Sequence, residues 1–220
     1  MIKRIFSNLL ISLAVFALIF LGLNLAFVTT WLSYKITPEN HVINYSELFS
    51  TNEEQLTLSP NTLFIPDLGI KTPIQFPTQK NESSYQTALQ SGVALFPGSA
   101  LPGAFGKSYI FGHSSDVPWN KGDYKNVFAL LPNITPNMPI YITGETETIF
   151  LCKVSGTAIV KPTETKLTEQ PIEPTTRELV LQTSYPIGTA FRRFVVFSVC
   201  NELQRTQKEE QTQTITQPTE

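Results

Sequence analysis

Hydrophobic and polar positions follow three different regimes along this chain. From Leu9 to Val28 the residues are apolar without interruption except for Ser12 and Asn24, and no charge occurs. A hydrocarbon core about 30 Å thick needs on the order of 20 helical residues, so this run predicts one membrane-spanning helix. From Thr37 to Pro60 the chain is polar and only weakly periodic, as a tether would be. Beyond Asn61, short runs rich in β-branched and aromatic residues recur between turn signals: Leu63–Ile65, Ile70–Phe76, Tyr109–Gly112, Ile140–Thr143, Thr148–Val160, Leu179–Thr183 and Arg193–Cys200. Seven or eight such strands fit a closed, mostly antiparallel barrel, an all-β fold with short helices. Helices are expected only around Ser83–Gln90, capped by Ser83 or Ser84, and around Val127–Leu131. They do not alternate regularly with the strands, which argues against a parallel α/β sheet. Past Cys200, residues 201–220 are nearly all Gln, Thr, Glu and Lys and predict a disordered tail. The expected organisation is 1–34 cytoplasmic tip and signal anchor, 35–60 extracellular linker, 61–200 barrel and 201–220 tail.

Composition refines this outline. The chain has 220 residues, enough for one well-cored domain with appendages, and its formal charge of −2 comes without a basic block, which excludes nucleic acid as a partner. Sixteen prolines and 15% charged residues favour turns and strands over long surface helices. Lys3 and Arg4 are the nearest charges before the apolar run and place the N-terminus in the cytoplasm and the bulk of the chain outside, with Trp31 and Tyr34 suited to the interface. A cleaved signal peptide would need a shorter apolar region and a small-x-small site, which Leu25-Ala26-Phe27-Val28 does not provide.

Three segments set a reactive or cationic residue at the edge of a strand: Tyr109-Ile-Phe-Gly-His113-Ser-Ser, Leu179-Val-Leu-Gln-Thr-Ser184-Tyr-Pro and Phe191-Arg-Arg193-Phe-Val-Val. In this order they resemble the sortase family, membrane-anchored transpeptidases in which a strand ends in Gly-His, a later strand in Thr-Cys, and the next opens with Arg. Phe64-Ile-Pro-Asp-Leu-Gly-Ile70, Gly92-Val-Ala-Leu-Phe-Pro-Gly98 and Pro102-Gly103 extend the resemblance over about residues 61–200. It implies a closed eight-stranded barrel and a thiolate that attacks a sorting-signal peptide, followed by transfer of the acyl group to an amine acceptor of the cell envelope. It implies His113 as acid/base, Arg193 as cationic donor and position 184 as nucleophile. The implied partners are the C-terminal sorting signals of surface proteins and the lipid bilayer; no cofactor is implied.

Ser184 departs from that pattern. A thiol with a pKa near 8.5 is partly thiolate at neutral pH, whereas a serine hydroxyl needs an adjacent general base. The resemblance therefore carries two readings, a slow transpeptidase or hydrolase and a pseudoenzyme that binds sorting-signal-like peptides without cutting them. Asp116, three residues after His113, is placed to orient the imidazole. Read without the resemblance, each residue has a plainer role: a structural histidine, a turn serine before Tyr185-Pro186, a surface arginine. Arg192 is the alternative to Arg193, because the two point to opposite faces of one strand.

Cys152 and Cys200 both lie in apolar strands and read as small buried hydrophobes, with a disulfide as the alternative. Cys200 stands about 23 Å along the strand from Arg193 and is too distant to share its chemistry. No metal site is expected: His41 and His113 are the only histidines, and Glu164, Glu169 and Glu173 read as solvated loop charges rather than calcium ligands.

Overall fold

A computed structural model describes residues 2–23, 25, 56–117, 119–136, 138–164 and 175–203 of the chain. Helix α1, Ile2–Leu23, is about 33 Å long at 1.5 Å per residue, and its stretch Lys3–Gly22 is long and apolar enough to cross a membrane. The helix starts earlier than the apolar run, so Lys3 and Arg4 lie in its first turn rather than ahead of it. Trp31, Tyr34 and His41 lie outside the described residues, as do 204–220.

Eight strands close into a barrel in the order β1-β2-β3-β4-β7-β8-β6-β5. They are β1 Thr62–Ile65, β2 Ile70–Gln75, β3 Val93–Leu95, β4 Gly106–Phe111, β5 Ile140–Thr143, β6 Ile149–Val160, β7 Arg177–Tyr185 and β8 Arg192–Glu202. Pairing is antiparallel except at β2–β3 and β4–β7. β3 was not among the runs read as strands, because three residues are too few to show a period.

Side-chain alternation sorts each strand into an inner and an outer set. Leu63, Ile65, Ile110, Leu179, Leu181, Phe194 and Val196 point inward and form the core with Phe128 and Leu131. The outer side of β1 is also buried, since Phe64 packs with Leu58, Tyr141 and Ile149. The tether therefore ends earlier than its polarity suggests: Leu58 is buried, and the carbonyl of Ser59 accepts the Thr143 hydroxyl at 2.7 Å.

Helix α2, Glu82–Leu89, links β2 to β3. Its cap is Asn81, not Ser83 or Ser84; Asn81 Oδ1 accepts the Ser84 amide at 2.9 Å. The helix expected over 127–131 is instead a series of tight turns leading into a 3₁₀ turn, Leu131–Asn133. Pro132 disfavours α geometry at the residue before it, and the bonds Leu131 N to Phe128 O and Ile134 N to Leu131 O keep the tighter spacing.

Cys152 and Cys200 form a disulfide, which corrects their reading as two separate buried hydrophobes. They face each other across the β6–β8 pair with Cα atoms 3.9 Å apart. Their separation of 48 positions along the chain hides that register from the sequence.

Candidate active site

The β4–β7 pair is parallel, so both strands end at the same rim of the barrel. Their register places Phe111 beside Gln182, and two side-by-side bonds continue it: Gly112 N to Gln182 O at 3.1 Å and Thr183 Oγ1 to Gly112 O at 2.9 Å. β4 ends at Phe111, two residues before His113, while β7 continues from Gln182 to Ser184. β8 runs back antiparallel from this rim, and Ser184 pairs directly with Arg193. His113 just past β4, Ser184 near the end of β7 and Arg193 near the start of β8 thus gather at one rim, with Ser184 and Arg193 on adjacent strands at a typical spacing of about 4.8 Å.

The side chains of Ser184 and Arg193 lie on the outer face, since their inward neighbours Thr183 and Phe194 are buried. Gly112 also turns inward, where a Cβ would come within 2.7 Å of Phe128 Cδ2 and 2.9 Å of Val93 Cγ1. The glycine before the histidine is therefore a packing requirement. On the outer face Tyr109, Val180 and Val195 form a second buried cluster.

An open cleft of about 370 Å³ contains His113, Ser184 and Arg193 together. One wall is α2, which presents Glu82, Tyr85 and Gln86. Tyr85 meets the ring of Phe111 edge-on with centroids 5.2 Å apart, which fixes the helix to the barrel. Pro162 and Glu164, just past β6, also line the cleft.

Arg193 Nη1 donates to Ser184 Oγ at 3.4 Å, to Ala190 O at 3.2 Å and to Arg192 O at 3.1 Å. Its cation is thus held at the serine oxygen. Arg192 pairs with Tyr185 and is exposed, and it does not line the cleft. The β7–β8 turn is tied to the histidine loop by Gly188 N donating to Ser115 Oγ at 3.1 Å.

Burial holds the His113 imidazole below its ordinary pKa, and the carboxylates of Asp116 and Glu82 oppose this only partly. The imidazole is therefore neutral at neutral pH. His113 Nε2 lies 4.0 Å from Asp116 Oδ2, while Asp116 Oδ1 accepts the amide of Val117 and the side chain of Asn120 at 2.7 Å each. No hydrogen bond joins His113 to Ser184. No group of three or more His, Cys, Asp or Glu side chains is arranged to hold a metal ion among the described residues, and Glu169 and Glu173 lie outside them.

Tyr109 and Gln182 stand inside the quoted motifs without a role of their own, and they also line the cleft. The signal was present: both share an outward parity with the residues singled out, and Gln182 is a polar residue inside the apolar run of β7. The contribution of α2 had no such signal, because only the crossover brings it alongside.

A family model described as a sortase domain matches residues 63–201. Among solved structures, a lid mutant of sortase A from Corynebacterium diphtheriae aligns at 23% identity and a TM-score of 0.53, covering 73% of this chain and 80% of that one. Sortase C2 of pilus island 1 from group B Streptococcus aligns at 24% and 0.51, covering 68% and 76%. Sortase C-1 from Streptococcus pneumoniae aligns at 19% and 0.52, covering 66% and 67%. At these identities the structural matches speak to the fold alone; no curated protein matches the sequence. With a family match spanning most of the chain and a closed eight-stranded barrel of the same fold, the chain belongs to the sortase family.

Proposed function

We propose that this chain is a sortase-type acyl-transfer protein acting on C-terminal sorting signals of surface proteins, with Ser184 standing where the family carries its cysteine. The observation that carries this reading is the presence of His113, Ser184 and Arg193 in one cleft, with the guanidinium donating to the serine oxygen. In the reaction, Ser184 Oγ attacks the carbonyl carbon of the scissile peptide bond and its proton passes to neutral His113. Arg193 donates to the oxyanion. The C–N bond then breaks, His113 returns the proton to the leaving amine, and an acyl ester remains on Ser184. An amine acceptor of the cell envelope attacks that ester and frees the serine. Helix α1 serves as a single-pass anchor, with the N-terminus cytoplasmic and the barrel outside. The disulfide supports this location, since such bonds persist in oxidising surroundings.

A second reading, a pseudoenzyme that holds the peptide without cutting it, is favoured by one observation. Ser184 Oγ accepts from Arg193 and is not bonded to His113, so the base that a serine nucleophile requires is not engaged. Groove binding needs backbone pairing and side-chain pockets, not a thiol.

The test uses the full chain in detergent, a panel of sorting-signal peptides and an amine acceptor. Ser184→Cys should cleave, and the serine form should bind the same peptide but turn it over slower by on the order of 10²–10⁴-fold, the usual contribution of a working general base. In the cysteine background Arg193→Ala should lower kcat by about 10²–10³-fold, as loss of an oxyanion donor does, and Arg192→Ala should leave it unchanged. Rapid turnover by the serine form, abolished in His113→Ala, would establish a Ser–His enzyme in place of the slow scaffold. Absence of both cleavage and binding in every form would remove the sorting-signal reading altogether.

A further inference from the structure

Gln182 lies two residues before Ser184 on the same outward face of β7, and both side chains line the cleft. Two strand residues span about 6.6 Å, so the Gln182 side chain stands about two residues away from the attacked bond of a peptide lying along the cleft. Its oxygen is already committed: Gln182 Oε1 accepts the hydroxyl of Tyr109. Its amide nitrogen has no partner in the protein among the described residues, and the side chain is half-buried, so the N–H donors point into the cleft.

The orientation of this amide is built in. Tyr109 is 5% exposed, and burial pushes its hydroxyl up to about 12, so it keeps its proton to donate throughout the working pH range. The guanidinium of Arg193 opposes this rise only in part. With Oε1 held in this way, the cleft presents an amide donor rather than an acceptor. The surrounding floor is apolar: Val180 and Val195 are buried beside Tyr109, and Phe96 packs against them. A donor with no protein partner in such a setting discriminates, because a substrate that cannot accept its hydrogen bond leaves it unpaired.

We propose that Gln182, positioned by Tyr109, is a specificity-determining residue that donates its side-chain amide to an oxygen-bearing side chain of the substrate peptide, about two residues from the bond attacked. The proposal rests on the peptide-cleaving reading above and names the substrate class for it: peptides with Asp, Asn, Glu, Gln, Ser or Thr at that position, in preference to aliphatic ones.

The experiment measures kcat/KM of the full-length Ser184→Cys protein on peptides varied one position at a time around the scissile bond, then repeats the scan with Gln182→Leu and with Tyr109→Phe added. Ser184→Cys should favour an oxygen-bearing side chain over its aliphatic isostere at one position by about tenfold or more, as a site built around a hydrogen bond does. Gln182→Leu should collapse that ratio, and Tyr109→Phe should reduce it, at that position only. Thermal unfolding of each variant separates misfolding from altered selectivity, and a Gln182→Met variant provides an unbranched apolar control closer to glutamine in shape that should also lose the ratio. If Gln182→Leu lowers kcat/KM by the same factor for every peptide, or leaves the ranking intact while cleavage persists, Gln182 does not read the side chain and the proposal fails while the peptide-cleaving reading stands. If no peptide is bound or cleaved by the Ser184→Cys protein, both fail together.

Discussion

At the scale of single residues, the cleft is defined by what burial does to two side chains. Tyr109 is kept protonated and His113 is kept neutral, each because its charged form loses hydration. For His113 this has a consequence for stability. The unfolded chain takes up a proton at its ordinary pKa near 6.5, while the folded chain takes it up only at lower pH. Between those two values the unfolded state binds more protons, so stability falls as the pH drops through about 6.5 and levels off below the folded pKa. Thermal unfolding from pH 8 down to pH 5 should therefore show a loss that His113→Gln reduces. Comparison of the two proteins isolates this residue from His41. Parallel curves for the two would mean that His113 is not held neutral by the fold.

At the scale of elements, strand parity decides where the chemistry faces. Thr183 and Phe194 point inward, so Ser184 and Arg193 must point outward, and the same alternation separates Arg193 from Arg192. Gly112 obeys the rule at the end of β4: it faces the core, so His113 faces the cleft. Gly112→Ala places a methyl group against Phe128 and Val93, and overpacking of this kind costs about 1–3 kcal/mol. A lower unfolding temperature is the expected result, together with a displaced His113 and weaker peptide binding. An unchanged unfolding temperature would show that the Phe128 ring can move aside without cost.

At the scale of the whole molecule, β6–β8 is the most extensive pairing, running from Phe150 opposite Glu202 to Val160 opposite Arg193. Its bulge at Val154–Gly156 and its disulfide both lie along the pair that includes β8, the strand that carries Arg193. A cross-link spanning 48 residues removes loop entropy from the unfolded chain worth about 4 kcal/mol in the chain-entropy account, and measured disulfides contribute typically 2–4 kcal/mol. Cys152→Ala with Cys200→Ala should lower the barrel's unfolding free energy by about that amount, measured by denaturant unfolding followed through near-ultraviolet circular dichroism. The same loss should appear in the native protein after reduction. If the double variant and the native chain unfold alike, the bond contributes nothing to closure.

Local patterning made much of this protein legible in the amino-acid sequence. The apolar run of α1 is a statement about length, and the strands show as period-two alternation, because both depend on residues near one another in the chain. The Gly-His, Thr-Ser and Arg motifs were likewise visible, and their order pointed to the family. Pairing between distant strands was not legible. The parallel register of β4 and β7, the meeting of Cys152 with Cys200 and the wall supplied by α2 all depend on which strands become neighbours. Gln182 shows the division most clearly. Its polarity within an apolar strand could be read from the sequence, but Tyr109 lies 73 residues away, and only the closed barrel brings the hydroxyl to the amide. Alternation is a property of one strand and its side chains; register and proximity belong to the folded sheet, where hydrogen bonding and core packing select one pairing from many.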